Sequence, residues 1–192
     1  MRPNVSLLTL CVFAAACGER TRTVAAPDFS IPVMAEQGGS DETGDHFNPK
    51  LLGNQEVPAR ITPAHGRAIF HVADDGQSVD YTLVVNEITN VRQSHIHIGA
   101  PGTNGPIVVF LYGPVAAGGG PIDGMIAQGT FTAANMIGPL AGHPFSELLD
   151  AMRSGNAYVN VHTDDGIAPA NTGPGDFPGG EIRGLLMDKH ED

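Results

Sequence analysis

Short stretches in which apolar and polar residues alternate dominate the middle of the chain. Alternation with period two is typical of strands that bury one face. Residues 67–72 and 78–85 both follow this pattern, and the Asp-Gly pair at Asp75 and Gly76 predicts a tight hairpin turn between them. Further short apolar or alternating runs predict strands at 107–112, 125–131, 157–162 and 180–186.

One stretch, Phe145–Arg153, follows the helical pattern instead. Its apolar residues are spaced i, i+3, i+4 and i+7, with Pro144 before it and Gly155 after it, which are ordinary start and stop signals of a helix. The chain is rich in Gly (25) and Pro (15), and this composition favours many turns and few helices. The sequence therefore predicts an all-β fold, an antiparallel Greek-key β-sandwich or barrel with one short helix.

Two histidines lie two residues apart in the extended run from Ser94 to Gly99. On a strand, His95 and His97 point to one side. Ile96 and Ile98 point to the other side, where they could enter a core. The alternation therefore predicts an outward pair of imidazoles. The strand at 157–162 ends in His162, which is predicted to face outward as well.

Two interpretations of these histidines remain open. In one, three imidazoles beside glycine-rich loops bind copper or zinc, since histidine is a common ligand of both metals. In the other they are polar residues of a strand face, hydrogen-bonded to one another or to neighbours such as Asn160. Arg183 and Glu181, two residues apart in the last strand, are predicted to form an ion pair on that outer face. No catalytic residue is predicted, and the sequence leaves enzymatic activity open.

The charge balance excludes one class of partner. The chain has 21 acidic and 10 basic residues, for a net charge of −11. A nucleic-acid-binding domain needs a basic footprint to neutralise phosphates, and the same acidity opposes electrostatic adhesion to anionic lipid. We therefore expect no nucleic-acid partner.

The N-terminus has the pattern of an export signal. After a basic start, the apolar run over 5–16 is too short to span a bilayer and ends in small residues. The segment Ala14–Cys17 resembles a bacterial lipoprotein signal, in which Cys17 is acylated and becomes the first mature residue. Ala14 stands where leucine is usual. An ordinary secretory signal, cut near Ala16 or Ala26, is the alternative. Both predict an extracytoplasmic location, which is the cell envelope for the lipoprotein and the periplasm or the medium for the alternative.

The lipoprotein interpretation accounts for both cysteines. Cys11 leaves with the signal and Cys17 carries the lipid anchor to the membrane, so the mature domain has no disulfide. The polar, aperiodic segment that follows predicts a flexible spacer. The predicted organisation is a signal peptide over 1–17, a tether over 18–46, the folded domain over 47–187 and a tail over 188–192.

Six motifs follow one another along the chain: Gln55–Pro58, the Asp-Gly hairpin, His95–His97, Asn104–Pro106, Gly155–Thr163 and Gly179–Gly184. Together they resemble the CHRD domain, a module named after chordin and found in many exported bacterial proteins. The resemblance covers about residues 48–187. Most bacterial members are known as domains without an assigned reaction, so the resemblance implies no reaction for this chain. We expect a non-catalytic binding or structural module of the envelope.

A second resemblance, to Cu/Zn superoxide dismutase, rests on the His-x-His strand, the later Val-His and the Gly-Gly-x-x-Arg strand. It implies a Greek-key sandwich in which His95, His97 and His162 bind copper and Arg183 guides anions. The sequence departs from that family in lacking a matching metal-bridging histidine, a zinc-loop cluster and a disulfide pair. The resemblance therefore implies a copper or zinc site and gives no support for turnover of superoxide.

Overall fold

The computed structural model describes residues 45–187. The predicted signal peptide, the lipidation site Cys17, the tether up to residue 44 and the tail over 188–192 lie outside the described residues. Within residues 45–187, the first strand begins at His46, one residue before the predicted start of the domain.

The described part of the chain forms short strands and one α-helix, α1, which spans Phe145–Arg153 as predicted. Three short 3-10 turns lie at Gly53–Gln55, Ala133–Asn135 and Gly138–Leu140. No helix within 45–187 combines the length and the apolarity needed to cross a bilayer. The strands are β1 (His46–Phe47), β2 (Lys50–Leu52), β3 (His65–Val72), β4 (Ser78–Thr89), β5 (Val91–Ile98), β6 (Ile107–Tyr112), β7 (Pro121–Thr132), β8 (Ala157–Thr163) and β9 (Ile182–Leu186).

All strand pairs are antiparallel. The order is β6-β5-β8-β9-β2-β3-β4-β7, with β1 added to β3. The end strands β6 and β7 pack against each other, so the sheet nearly closes on itself. Strands β4 and β5 follow each other in the chain but are not neighbours in the sheet, and the same is true of β7 and β8, which is the mark of Greek-key connections. The predicted fold class is confirmed.

Strand β4 is longer than the alternating pattern indicates. It continues to Thr89, beyond the predicted end at Val85. Its partner β7 begins at Pro121 rather than at Met125. The register shifts between Val85 and Ile88, where Glu87 has a φ of 52°. A bulge of this kind inserts an extra residue into a strand and breaks its alternation, so the polarity pattern alone does not indicate the extension.

The core lies between the two halves of this sheet. The apolar faces of the strands meet there, with Phe70, Leu83, Ile96 and Val159 all fully buried. Helix α1 adds its predicted apolar stripe, because each of its four large apolar residues is buried. Burial of each such side chain stabilises the fold by about 1.5–3 kcal/mol.

The opposite face of β5, β8 and β9 is also covered. Every residue of β8 is buried, although only alternate residues can point into the core. Two glycine-rich loops, the β5–β6 loop over 99–106 and the β8–β9 loop over 164–181, provide the second cover through hydrogen bonds to side chains on this face. This polar interior holds the candidate site.

Candidate metal centre

The site lies on the face of the sheet that points away from the apolar core. His95 of β5 is opposite Asn160 of β8, and Asn160 is opposite Arg183 of β9. His97 and His162 are each two residues along their own strands from this row, so they share its face. The regular register between β5 and β8 therefore determines which side chains can meet.

The structure brings the three predicted histidines together. Nδ1 of His95 lies 3.2 Å from Nε2 of His162, and each ring offers a nitrogen within 4.8 Å of those of the other two. The ring of His95 meets those of His97 and His162 edge to face, with centroids 5.5 and 4.9 Å away. No other His, Cys, Asp or Glu between residues 45 and 187 joins this group.

The prediction that the three histidines face outward needs one correction. They do lie on the side opposite Ile96, but their exposed fractions are only 0% for His95, 7% for His97 and 6% for His162. The loops over 99–106 and 164–181 lie across this face and exclude solvent. The alternation of side chains along a strand indicates which face the histidines share. It carries no information on what covers that face.

Backbone carbonyls fix the protonated nitrogen of two of the rings. Nδ1 of His97 donates to the carbonyl oxygen of Gly105 at 2.9 Å, and Nδ1 of His162 donates to that of Pro178 at 2.7 Å. Because a carbonyl only accepts, Nε2 of each ring carries a lone pair. Nε2 of His162 is within hydrogen-bond distance of Nδ1 of His95, at 3.2 Å, and of the side-chain amide of Asn160, at 2.9 Å. Within the described residues, Nε2 of His97 and Nε2 of His95 are buried without a hydrogen-bond partner. This arrangement is typical of histidines that bind metals.

Burial keeps the three imidazoles neutral. Desolvation, together with the smaller effects of the nearby His162 and His97, lowers the pKa of His95 to about 3. Desolvation lowers the pKa of His162 to about 4 and outweighs the opposing hydrogen bond to Pro178. The pKa of His97 is lowered for the same main reason. At neutral pH all three rings are therefore in the form that binds a metal ion without first losing a proton.

An aromatic and cationic stack supports His97 from one side. Its ring lies parallel to that of Tyr158, with centroids 4.8 Å apart and planes 5° apart. The guanidinium carbon of Arg183 lies 3.3 Å from the centre of the Tyr158 ring. Arg183 also donates to the carbonyl oxygen of Thr103 at 2.6 Å and to Oδ1 of Asn104 at 3.1 Å. These contacts tie the β5–β6 loop to β8 and β9 beside the histidines.

Glu181 bonds to groups other than Arg183, so the predicted ion pair on an exposed face is wrong. Both side chains are buried, with exposed fractions of 0% and 3%. The Glu181 carboxylate accepts hydrogen bonds from the hydroxyls of Thr62 and Thr163 at 2.5 and 2.6 Å and from the amide of Gly175 at 2.9 Å. Glu181 therefore fastens the β8–β9 loop to the sheet.

A buried acidic residue, Glu56, lies beside Arg183 and Asn160, and the sequence indicates it only as part of the Gln55–Pro58 motif. Glu56 is 5% exposed, and its Oε1 has no hydrogen-bond partner in the described part of the chain. Desolvation raises its pKa to about 7, against the opposing effects of Arg183 and a hydrogen bond from Asn160. Gly180 packs directly on the Glu56 carboxylate. Proline at position 58 suggests an edge or turn, and nothing in the local pattern indicates a buried acid.

These features define a class, a Greek-key β-sandwich with a buried cluster of three neutral histidines behind its sheet. The chain belongs to the CHRD domain family, whose model matches residues 47–186. The resemblance read from the sequence motifs is thereby confirmed, and membership supports a binding or structural module. No curated protein and no solved structure matches the chain.

Proposed function

We propose that this CHRD domain is an exported, lipid-anchored and non-catalytic binding module of the cell envelope, and that its ligand is a copper or zinc ion held by His95, His97 and His162. The observation that carries the proposal is the convergence of three buried, neutral imidazoles, with Nδ1 of His95 3.2 Å from Nε2 of His162.

The spacing of the nitrogens suits a metal ion. With metal–nitrogen bonds of 2.0–2.1 Å and a tetrahedral angle, two ligand nitrogens are about 3.3 Å apart. The distance of 3.2 Å between His95 and His162 is close to this value. The lone pair on Nε2 of His97 is buried without a donor among the described residues, and leaving it unpaired is costly. A bound cation would satisfy it.

The non-catalytic part of the proposal rests on the composition of the cluster. A dismutase-like site combines its copper ligands with a histidine that bridges to a second metal, and no fourth histidine within 45–187 joins the three. The side chains around them, such as Tyr158 and Arg183, are committed to stacking and to loop contacts. These two side chains support the ligand set rather than act as an acid or a base.

We expect the full chain to retain about one copper or zinc ion. The protein is purified in detergent, stripped with a chelator, exchanged into chelator-free buffer, exposed to excess metal and desalted before its metal content is measured. Copper should be retained more fully, because imidazole sites bind Cu²⁺ more tightly than Zn²⁺. The control is the same chain unfolded in urea. Retention no greater than that of the unfolded chain would refute the metal site.

The same copper-loaded protein tests whether the module is redox active. We expect its rate of superoxide removal to equal that of the unfolded, copper-loaded chain. A clearly higher rate would contradict the non-catalytic part of the proposal and favour a redox-active, dismutase-like module, while leaving metal binding in place.

The lipid anchor makes a separate prediction. Replacement Cys17→Ser removes the only thiol that the lipoprotein signal can acylate, so we expect the protein to move from the membrane fraction to the soluble fraction. Cys11→Ser changes the other cysteine within the apolar run and should leave the protein with the membrane. Fractionation followed by immunoblotting measures both. Unchanged partitioning of Cys17→Ser would rule out lipidation at this residue.

A further inference from the structure

A second cluster of ligand-type side chains lies in the β8–β9 loop, apart from the histidines. Asp164 and Asp165 follow directly after β8, and Asp176 lies near the other end of the loop. One carboxylate oxygen from each of the three residues lies within 4.8 Å of those of the other two. The loop therefore brings three acidic groups from its two ends to one place.

The burial of Asp176 distinguishes this cluster from an ordinary acidic surface. Asp176 is only 2% exposed. Its Oδ2 accepts hydrogen bonds from the amide and the hydroxyl of Thr172, both at 2.9 Å. Its Oδ1 is buried and has no donor within residues 45–187. A carboxylate oxygen without a donor or a cation is expensive to bury, so this atom is a candidate ligand for a cation.

The neighbouring groups supply only part of the charge compensation. The nearest basic group is Nε of Arg92, 3.8 Å from Oδ2 of Asp164, and both side chains are partly exposed. Oδ1 of Asp164 accepts from the amide of Gly166, and Oδ1 of Asp165 accepts from that of Ile167, both at 2.8 Å. These turns orient the two carboxylates and leave further lone pairs available beside Asp176.

We propose that Asp164, Asp165 and Asp176 form a binding site for a divalent cation of the calcium type. Calcium binds six to eight oxygen ligands at 2.3–2.6 Å, preferably from carboxylates, carbonyls and water. Two oxygens on opposite sides of an ion with bonds of about 2.4 Å are about 4.8 Å apart, so oxygens within 4.8 Å of one another can share one ion. An all-oxygen set of this kind suits a hard cation rather than copper or zinc.

The position of the site gives it a structural role. A cation held by Asp165 and Asp176 would join the two ends of the β8–β9 loop. The same loop carries Pro178, whose carbonyl receives the hydrogen bond from His162, and Gly175, whose amide binds Glu181. Calcium therefore stabilises the cover over the histidine face, whether or not the histidines hold a metal.

Calcium binding is measured on the full chain, stripped of metals and placed in chelator-free buffer, by equilibrium dialysis against calcium chloride. We expect one saturable site with a Kd in the range of about 10⁻⁴ to 10⁻³ M, as in extracellular modules. Asp165→Asn and Asp176→Asn should each weaken binding about tenfold or more. Asp74→Asn removes the same charge from an exposed hairpin and should bind as the wild type does.

Two results would overturn the proposal. One is the absence of saturable binding by the wild type up to about 10 mM calcium, well above the expected range. The other is a calcium Kd of Asp165→Asn equal to that of the wild type. If circular dichroism shows that Asp176→Asn does not fold, the calcium Kd of Asp165→Asn alone decides whether the site exists. The calcium Kd of His97→Ala, expected to equal that of the wild type, separates this site from the copper or zinc site.

Discussion

Replacing His95 and His97 together with alanine is expected to lower the copper affinity of the full chain by roughly a thousandfold or more. The variant loses two of three imidazole ligands, and loss of even one outer partner of a metal ligand costs about 10–100-fold. Competition against a chromophoric copper chelator measures the affinity. The double variant should also lose most of the rise in melting temperature that copper gives the wild type, because the stabilisation by a ligand increases with the logarithm of its affinity.

The control for this variant keeps the number of changed histidines the same. His65 and His143 are exposed and lie outside the cluster, so His65→Ala/His143→Ala should bind copper as the wild type does. Because His95 is fully buried, circular dichroism of the metal-free double variant must first show a folded chain. If both double variants then bind copper with equal affinity, the three-histidine site is refuted.

The alternation of polarity predicted much of the fold because it reports directly on which face of a strand is apolar. The hairpin of β3 and β4 and the helix α1 follow from local patterns, and both are present. The far end of β4 was missed, because the bulge near Glu87 interrupts the alternation while pairing with β7 continues. Pairing between distant strands, rather than the local sequence, sets that boundary.

The candidate site, like the fold, is predicted in part from local sequence pattern and depends in part on contacts between distant residues. Parity places His95 and His97 on one face, and the two dismutase-like motifs indicate His162 as the third member, as the structure has it. Burial of these residues depends on loop carbonyls, those of Gly105 and Pro178, which carry no side-chain signal in the sequence. A residue's tautomer, exposure and pKa follow from such contacts, so they become visible only when the loops are seen in place.

Glu56, Asn160 and Arg183 illustrate what sequence spacing misses. Arg183 was paired with Glu181 because the two are close in the sequence and of opposite charge. In the structure Arg183 acts on a different acid, Glu56, from a distant turn, where it opposes the rise in pKa that burial causes. Asn160, which is opposite Arg183 in the neighbouring strand, opposes that rise as well. A buried polar group is held by whichever donors the fold brings near it, and those donors can come from any part of the chain.

Gly105 is one of the residues that hold the β5–β6 loop to the site, and Gly105→Ala is expected to damage both the fold and the metal site. A Cβ at this position would overlap the carbonyl oxygen of Ile98 and lie 2.7 Å from its carbonyl carbon, so the backbone must move. The backbone of Gly105 makes two bonds that such a shift would break: its carbonyl accepts from His97 at 2.9 Å, and its amide donates to the hydroxyl of Tyr158 at 3.1 Å.

We expect Gly105→Ala to lower the free energy of unfolding of the metal-free chain by about 2–4 kcal/mol, at the severe end of single substitutions, and to weaken copper binding about 10–100-fold through the loss of the His97 hydrogen bond. Urea unfolding and chelator competition measure the two effects. Gly119→Ala is the matched control, because a Cβ there meets no atom within 4 Å. If Gly105→Ala behaves like Gly119→Ala in both measurements, the loop does not hold His97 in the way that the hydrogen bonds indicate. A loss of stability with unchanged copper affinity would instead show that the Gly105 carbonyl has no part in orienting the ligand.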